Sequence, residues 1–296
     1  MKSNLKMNIT TVVFGLVFAA PLAAQDWVGS VEGGLFSTDR TSTDSTIVDS
    51  PYTGYFVAGQ TQRNFGDYRL SVDGRLEMMD DKGIDDVYET GPVHSGIIGL
   101  HFGREFGDAY FGAFAAAGYF DGVASESPMT GTLAGLEGSY TLPVGAVLYA
   151  QVGAMEAIGG GEDNKYVGYA ARVGAKHQFN DRISAGLSYE FGQSNDCFVD
   201  CGRVRGPSGA GALSGEVEPG EFSMATLDAS YAVTDQMDIV ARYAYLDVFD
   251  ENDSDTGTAS TLYLGARWNF GARSEQTALT TPMGGFEAAG WMRPLD

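Results

Sequence analysis

The sequence predicts an all-β fold, a transmembrane antiparallel up-and-down β-barrel of about twelve strands, with ten or fourteen as alternatives. Three observations predict this fold class. Residues 261–270 alternate apolar and polar side chains without a break, as a strand with two unlike faces does. Segments of about ten to twelve residues repeat that alternation along the chain. The connections between them are alternately short and long, which is typical of barrels that cross a membrane.

The first 24 residues have the features of a secretory signal peptide. Lys2 and Lys6 give it a positive start, residues 11–20 are apolar and small, and a cleavage site follows Ala24. Such a segment is too short to span a membrane and does not belong to the fold. The predicted organisation is a signal peptide over residues 1–24, a barrel over residues 25–270 and a C-terminal periplasmic tail over residues 271–296.

The composition fits many strands joined by tight turns. The chain has 41 glycines and 12% aromatic residues, but only 9 prolines. Its formal net charge is −21, and loss of Lys2 and Lys6 with the signal peptide makes it −23. A chain this acidic excludes nucleic acid as a partner, because phosphates require a basic surface.

The first six predicted strands are residues 27–36, 52–62, 68–78, 93–103, 109–120 and 131–142. In the clearest of them, Leu70 and Val72 face the opposite way from Arg69. The first strand alternates weakly, and the fifth is a run of Phe, Ala and Gly. Short segments rich in Asn, Gly and Asp, at residues 64–67 and 104–108, predict tight turns between neighbouring strands.

The last six predicted strands are residues 146–157, 166–179, 182–191, 222–233, 237–248 and the closing strand that ends at residue 270. Their faces are again unlike, with Leu187 and Tyr189 set against Glu190. Short turns at residues 143–145, 180–181 and 234–236 alternate with longer connections. Strand length and the sorting of connections by length favour a membrane barrel over a soluble sandwich, whose strands are typically about five or six residues long.

The closing strand, whose apolar face ends in Trp268 and Phe270, resembles the last strand of bacterial outer-membrane β-barrels. The resemblance extends from Trp27 to Phe270 and is to the porin-like barrels as a class. It implies a place in the outer membrane of a Gram-negative cell, with outer-membrane lipid, lipopolysaccharide and the barrel-assembly machinery as partners. The sequence departs from the class at one point, because residues 271–296 follow the terminal aromatic without alternation.

The polar faces of the strands predict a charged lumen, because lipid penalises charged side chains. These charged side chains either pair with one another and fill the lumen, or they line a pore that selects solutes. A barrel of about twelve strands is intermediate in width between eight-stranded barrels, which side chains fill, and the wide porins of sixteen to eighteen strands. The predicted lumen-lining residues are Arg69, Asp73, Arg75, Glu77, Glu137, Arg172, Lys176, Arg182, Glu190, Asp228, Asp238, Arg242 and Arg267, with Glu32 on the same face.

Catalytic, metal and cofactor sites are not predicted, so the sequence indicates a protein that is not an enzyme. His94 adjoins Ser95, but neighbouring residues on a strand point to opposite faces and cannot act as base and nucleophile. The acidic run at residues 250–255 lacks the Gly and Glu that a calcium-binding EF-hand loop requires.

Two functions from different classes remain. The first is a porin-like channel for passive diffusion of small hydrophilic solutes, selective through lumen width and charge. The alternative is a closed structural or surface-interaction barrel that uses its long external loops.

Cys197 and Cys201 are predicted to form a disulfide in an external loop, because the chain is exported and no neighbouring His or Cys completes a zinc site. The loop that they close is short, so reduction should leave the free energy of unfolding nearly unchanged. Mass spectrometry of the unreduced protein should show no thiol that can be alkylated. Two alkylated cysteines would contradict the pairing.

Overall fold

The computed structural model describes residues 27–42, 52–80, 93–121, 129–158, 165–194, 220–250 and 256–271. Within these ranges the chain forms twelve β-strands. The strands are β1 (Val28–Ser42), β2 (Tyr52–Phe65), β3 (Tyr68–Asp80), β4 (Val93–Phe106), β5 (Ala109–Asp121), β6 (Met129–Thr141), β7 (Ala146–Ile158), β8 (Lys165–Gln178), β9 (Ile183–Ser194), β10 (Gly220–Ala232), β11 (Met237–Asp250) and β12 (Thr256–Phe270).

The twelve strands form one closed sheet. Each strand pairs antiparallel with the strands before and after it, and β1 pairs with β12 to complete the ring. In this closing pair the register runs from Gly29 opposite Phe270 to Ser42 opposite Gly257. Every described strand therefore has two hydrogen-bonded neighbours, as lipid requires of a sheet that it surrounds. The predicted fold class is confirmed.

The strands are 12 to 15 residues long, and all except β8 are longer than predicted. The difference is largest in β1, which continues to Ser42 rather than ending at Phe36. The added residues are polar on both faces of the strand, so they carry no alternation by which the sequence could reveal them. A tilted strand crosses the hydrocarbon with about 9–11 residues, so the wall extends beyond the bilayer at the end of the long connections.

The connections at the other end are short turns. Gly66 and Gly107 have φ angles of 63° and 67° at the first position of two-residue turns, as type II′ hairpins require. The Asn180 side-chain Oδ1 accepts hydrogen bonds from the backbone N–H groups of Arg182 and Ile183, at 2.9 and 3.0 Å. These turns lie where Gly, Asn and Asp predicted them.

Large apolar side chains cover the outside of all twelve strands; Leu187 and Leu264, for example, are 59% and 53% exposed. Exposed aromatic residues form one band near the short turns and a second band toward the long connections. The first contains Phe65, Tyr68, Phe102, Phe106, Phe111, Tyr140, Phe179 and Trp268, and the second contains Tyr55, Tyr169, Phe191 and Tyr245, while Tyr189 and Tyr243 lie in the middle of their strands. Soluble monomers rarely expose an apolar surface of this extent, and two aromatic girdles around an apolar band are typical of membrane barrels. No helix among the described residues is long and apolar enough to cross a membrane.

Three predictions lie outside the described residues and stay predictions. They are the signal peptide at residues 1–24, the disulfide between Cys197 and Cys201, and the tail at residues 271–296 except Gly271.

Charged substitutions on the lipid-facing side of the barrel should destabilise it. Leu187→Arg and Leu264→Arg should each lower the free energy of unfolding from lipid by about 2–4 kcal/mol, because the new charge lies in hydrocarbon. Val144→Arg is the matched control, since Val144 is 72% exposed in a short turn, and its cost should be about 0–1 kcal/mol. Urea titration of the barrel refolded in lipid vesicles measures all three. Equal tolerance at the three positions would contradict a lipid-facing assignment.

Candidate functional site in the barrel lumen

The inward side chains divide the lumen into two parts. Across the middle of the barrel and toward the long connections, they form one apolar cluster, called here the apolar layer. It consists of Phe36, Phe56, Phe114, Ala116, Leu133, Ala170, Phe222, Met224, Ala244, Leu246, Ala259 and Tyr263, with Ile97 and Met155 packed against it. Its residues come from eight of the twelve strands, and Ile97 and Met155 add contacts from β4 and β7. Toward the short turns the inward side chains are mainly polar or charged.

Aromatic rings fill the lumen in the apolar layer because glycines face them. A Cβ atom added to Gly265 would lie 3.1 Å from Cζ of Phe56, and one added to Gly54 would lie 2.5 Å from Cζ of Phe36. The Tyr263 ring contacts both phenylalanines, with centroids 5.5 Å apart in each pair. Phe36 and Phe56 are only 3% and 2% exposed. Water therefore does not reach this part of the lumen.

One ion pair lies beside the apolar layer. The Arg75 Nε donates a hydrogen bond to Glu77 Oε1 at 2.6 Å, and both residues are buried. The guanidinium carbon of Arg75 lies 4.8 Å from the Phe56 ring centroid and 4.5 Å from that of Tyr263. Cation–π contact and pairing together compensate for loss of water by this charge.

Glu137, on β6, is the centre of a buried polar network. Its Oε2 lies 2.7 Å from His101 Nδ1 and accepts a hydrogen bond from Gln151 Nε2 at 2.9 Å. Its Oε1 accepts a hydrogen bond from the Tyr110 hydroxyl at 2.9 Å. The other ring nitrogen of His101 lies 3.5 Å from Asp73 Oδ1. The network therefore joins five neighbouring strands, β3 to β7, and its main effect is to fix their inward side chains.

Arg172 extends this network across β8 to β9. Its Nε donates to Gln151 Oε1 at 2.9 Å, and its Nη1 donates to Glu190 Oε1 at 3.3 Å. Arg69 lies nearer the short turns, where Nη1 donates to Glu105 Oε1 at 3.2 Å. Bonds of this kind hold charges that would otherwise be costly to bury.

A second group of charges lies on the opposite wall, toward the short turns. Arg267 donates from Nε and Nη2 to Glu32 Oε2, at 3.0 and 2.8 Å. Lys176, Asp228 and Arg242 form one row across β8 to β11, because Asp228 lies opposite Arg242 and Gly186 lies opposite both Asp228 and Lys176. The side chains of these three residues are partly buried. We call these five residues the cationic cluster, because three are positive and two negative.

Twelve of the thirteen predicted lumen residues face inward. Eight of them are buried, and the four that belong to the cationic cluster are partly buried. Asp238, near the short turns, accepts a hydrogen bond from Asn269 Nδ2 at 2.9 Å. Arg182 differs, because it lies in the turn before β9, is exposed, and places Nη1 3.4 Å from the Tyr231 hydroxyl. At a strand end, alternation no longer determines which way a side chain points.

The apolar layer was not predicted from the sequence. Alternation does place its residues inward, because Phe36 follows the inward Glu32 by four residues and Tyr263 precedes the inward Arg267 by four. Tyr110 and Gln151, which lie on the same faces as inward residues, were also not predicted to have a role. Among the described residues, no group of three His, Cys, Asp or Glu side chains is placed to hold a metal ion.

No protein-family model matches the chain, and no curated protein sequence matches it. Several solved outer-membrane barrels are similar in structure. OmpT of Vibrio cholerae is 14% identical, over 83% of this chain and 97% of that one, with a TM-score of 0.43. The translocator domain of the autotransporter NalP from Neisseria meningitidis is 11% identical, over 90% and 97%, with a TM-score of 0.45. The outer-membrane channel DcaP of Acinetobacter baumannii is 10% identical, over 83% and 96%, with a TM-score of 0.41.

Proposed function

We propose that the chain is an outer-membrane β-barrel that is closed at rest and acts as a membrane-anchored platform for its long external connections. The observation that supports this proposal is the apolar layer. In a barrel open to passive diffusion, the inward side chains remain in contact with water along the whole lumen. Here they are buried across the middle of the barrel.

The apolar layer opposes passage of hydrophilic solutes for a simple physical reason. A polar solute that enters an apolar space loses hydrogen bonds to water and gains none in return. Hydrophobic constrictions close channels in this way, because water itself withdraws from them. The polar side chains at the same level, such as Glu77 opposite Phe56 and Glu190 opposite Met224, are themselves buried.

The connections on the far side supply the surface that such a platform would present. Two of them, residues 81–92 and residues 195–219, are long, and the first contains Asp81, Asp85, Asp86 and Glu89. An acidic surface attracts divalent cations, through which it can be bridged to the phosphates of lipopolysaccharide. Outer-membrane lipid, lipopolysaccharide and the barrel-assembly machinery are therefore the partners that we propose.

A second function, the porin-like channel for small hydrophilic solutes, is supported by a different observation. Lys176, Asp228, Arg242 and Arg267 are partly exposed, so the side chains do not completely fill the lumen on this side of the apolar layer. A channel would need the apolar layer to move aside. Its acidic external mouth would then favour cations at low salt, where screening is weak.

Planar-bilayer recording separates the two functions. The refolded wild-type protein should show no steady conductance, because the apolar layer excludes water. Replacing two rings of the layer, in the double variant Phe56→Ala and Phe222→Ala, should produce conductance steps, because the space they leave opens the lumen. Gel mobility before and after heating, which distinguishes folded barrels, confirms that each sample is folded.

Phe111→Ala is the matched control for this experiment. Phe111 is an aromatic residue of the same size that is 58% exposed on the lipid face. Removing this ring should produce no conductance. Steady conductance by the folded wild type would instead favour the channel, and conductance of Phe111→Ala equal to that of the double variant would show that the layer is not the barrier.

A further inference from the structure

The cationic cluster brings charges from distant strands to one space in the lumen. Lys176 belongs to β8, whereas Arg267 and Glu32 belong to β12 and β1, on the other side of the ring. The strand register nevertheless places Lys176, Asp228 and Arg242 in one row, with only Gly186 between Lys176 and Asp228, while Glu32 lies opposite Arg267. Three positive and two negative side chains therefore share this space, with one positive charge in excess.

The pairing within the cluster leaves two cations available. Arg267 engages Glu32 through two hydrogen bonds to the same carboxylate oxygen. Lys176 and Arg242 make no hydrogen bond or ion pair within the described part of the chain. Arg242 contacts the Tyr263 ring, with its guanidinium carbon 6.0 Å from the ring centroid. This contrasts with Arg69, Arg75 and Arg172, whose guanidinium groups all donate to buried or partly buried acceptors.

The same space lies on one side of the apolar layer and is not completely filled. Lys176, Asp228, Arg242 and Arg267 are partly buried, whereas Glu32 is buried. The apolar layer lies between the cluster and the long connections, with Tyr263 four residues before Arg267 on β12.

We propose that the cationic cluster is a binding site for a small anion that carries a carboxylate or phosphate group. Such a group would accept hydrogen bonds from the Lys176 ammonium and from the planar guanidinium of Arg242. It would also balance the excess positive charge in an interior where the effective dielectric constant is low. Arg267 already engages Glu32. Asp228 lies between Lys176 and Arg242 in the register but makes no hydrogen bond or ion pair with either within the described part of the chain, and it balances only one of their two charges. The site does not depend on whether the barrel conducts, since it lies on one side of the apolar layer.

Calorimetric titration with inorganic phosphate tests the site. The full chain, refolded in a nonionic detergent that contains no phosphate, should bind phosphate at low ionic strength. Lys176→Met and Arg242→Met should each weaken binding about tenfold or more, which corresponds to about 1.4 kcal/mol. Arg182→Gln is the matched control, because it removes one positive charge outside the lumen and should bind phosphate like the wild type.

Thermal unfolding gives a second measurement on the same samples. Phosphate should raise the unfolding midpoint of the wild type, because a ligand that binds the folded state stabilises it. It should raise the midpoints of Lys176→Met and Arg242→Met less. Lys176→Met should not lower the midpoint in the absence of phosphate, because Lys176 makes no hydrogen bond or ion pair within the described part of the chain. Arg242→Met loses the contact with the Tyr263 ring, so its phosphate-induced shift is compared with its own midpoint without phosphate. Lys176→Gln replaces Lys176→Met if the latter fails to fold.

Three results would overturn the proposal. They are no binding by the folded wild type, binding by the Lys176 and Arg242 variants equal to that of the wild type, and a loss in Arg182→Gln as large as theirs. The last result would assign the anion to the outer surface. Conductance is recorded separately, so the outcome for the anion site and the outcome for the closed barrel remain distinct.

Discussion

The closed ring of twelve strands is the constraint on which the rest of the structure depends. Backbone pairing fixes the circumference of the wall, and a ring of this size encloses more space than the eight-stranded barrels that side chains just fill. The sequence compensates by placing glycines opposite inward aromatic rings, such as Gly54 opposite Phe36 and Gly265 opposite Phe56. The unequal sizes let rings from one wall reach across toward another.

The lumen contains two kinds of charged side chain. Some form hydrogen bonds and ion pairs that stabilise the barrel, and others form none within the described strands and could bind a ligand. Around Glu137, donors from neighbouring strands occupy both carboxylate oxygens. Around Lys176 and Arg242 no such satisfaction is found among the described residues. Both groups lie in the same barrel and on comparable strands. The difference between them is therefore one of partners, and partners distinguish a structural network from a candidate binding site.

Much of the wall could be predicted from the sequence, because lipid imposes a regular pattern on the outer face. Leu262, Leu264 and Trp268 alternate with polar residues. This alternation shows that the segment is a strand, which of its side chains face lipid, and how it is aligned with the neighbouring strands. The filled lumen could not be predicted in the same way. Alternation assigns Phe36 and Tyr263 to the inside, but their contact joins residues 227 positions apart and depends on how far each ring reaches. Arg182 shows a further limit, since the face of a residue in a turn is set by the turn.

The seam between β1 and β12 has a consequence for the order of the chain. Its antiparallel pairing is continuous from Gly29 to Ser42, and hydroxyl groups of Thr38 and Thr261 meet across it at 3.0 Å. The β1–β12 pair has the geometry of a β-hairpin, except that no turn connects the two strands. Both ends of the barrel segment therefore lie at the short-turn side. The ring therefore has no structural beginning. A chain opened at a different short turn and joined across Val28 and Phe270 would specify the same wall, since circular permutation succeeds at exposed turns when the original ends are close.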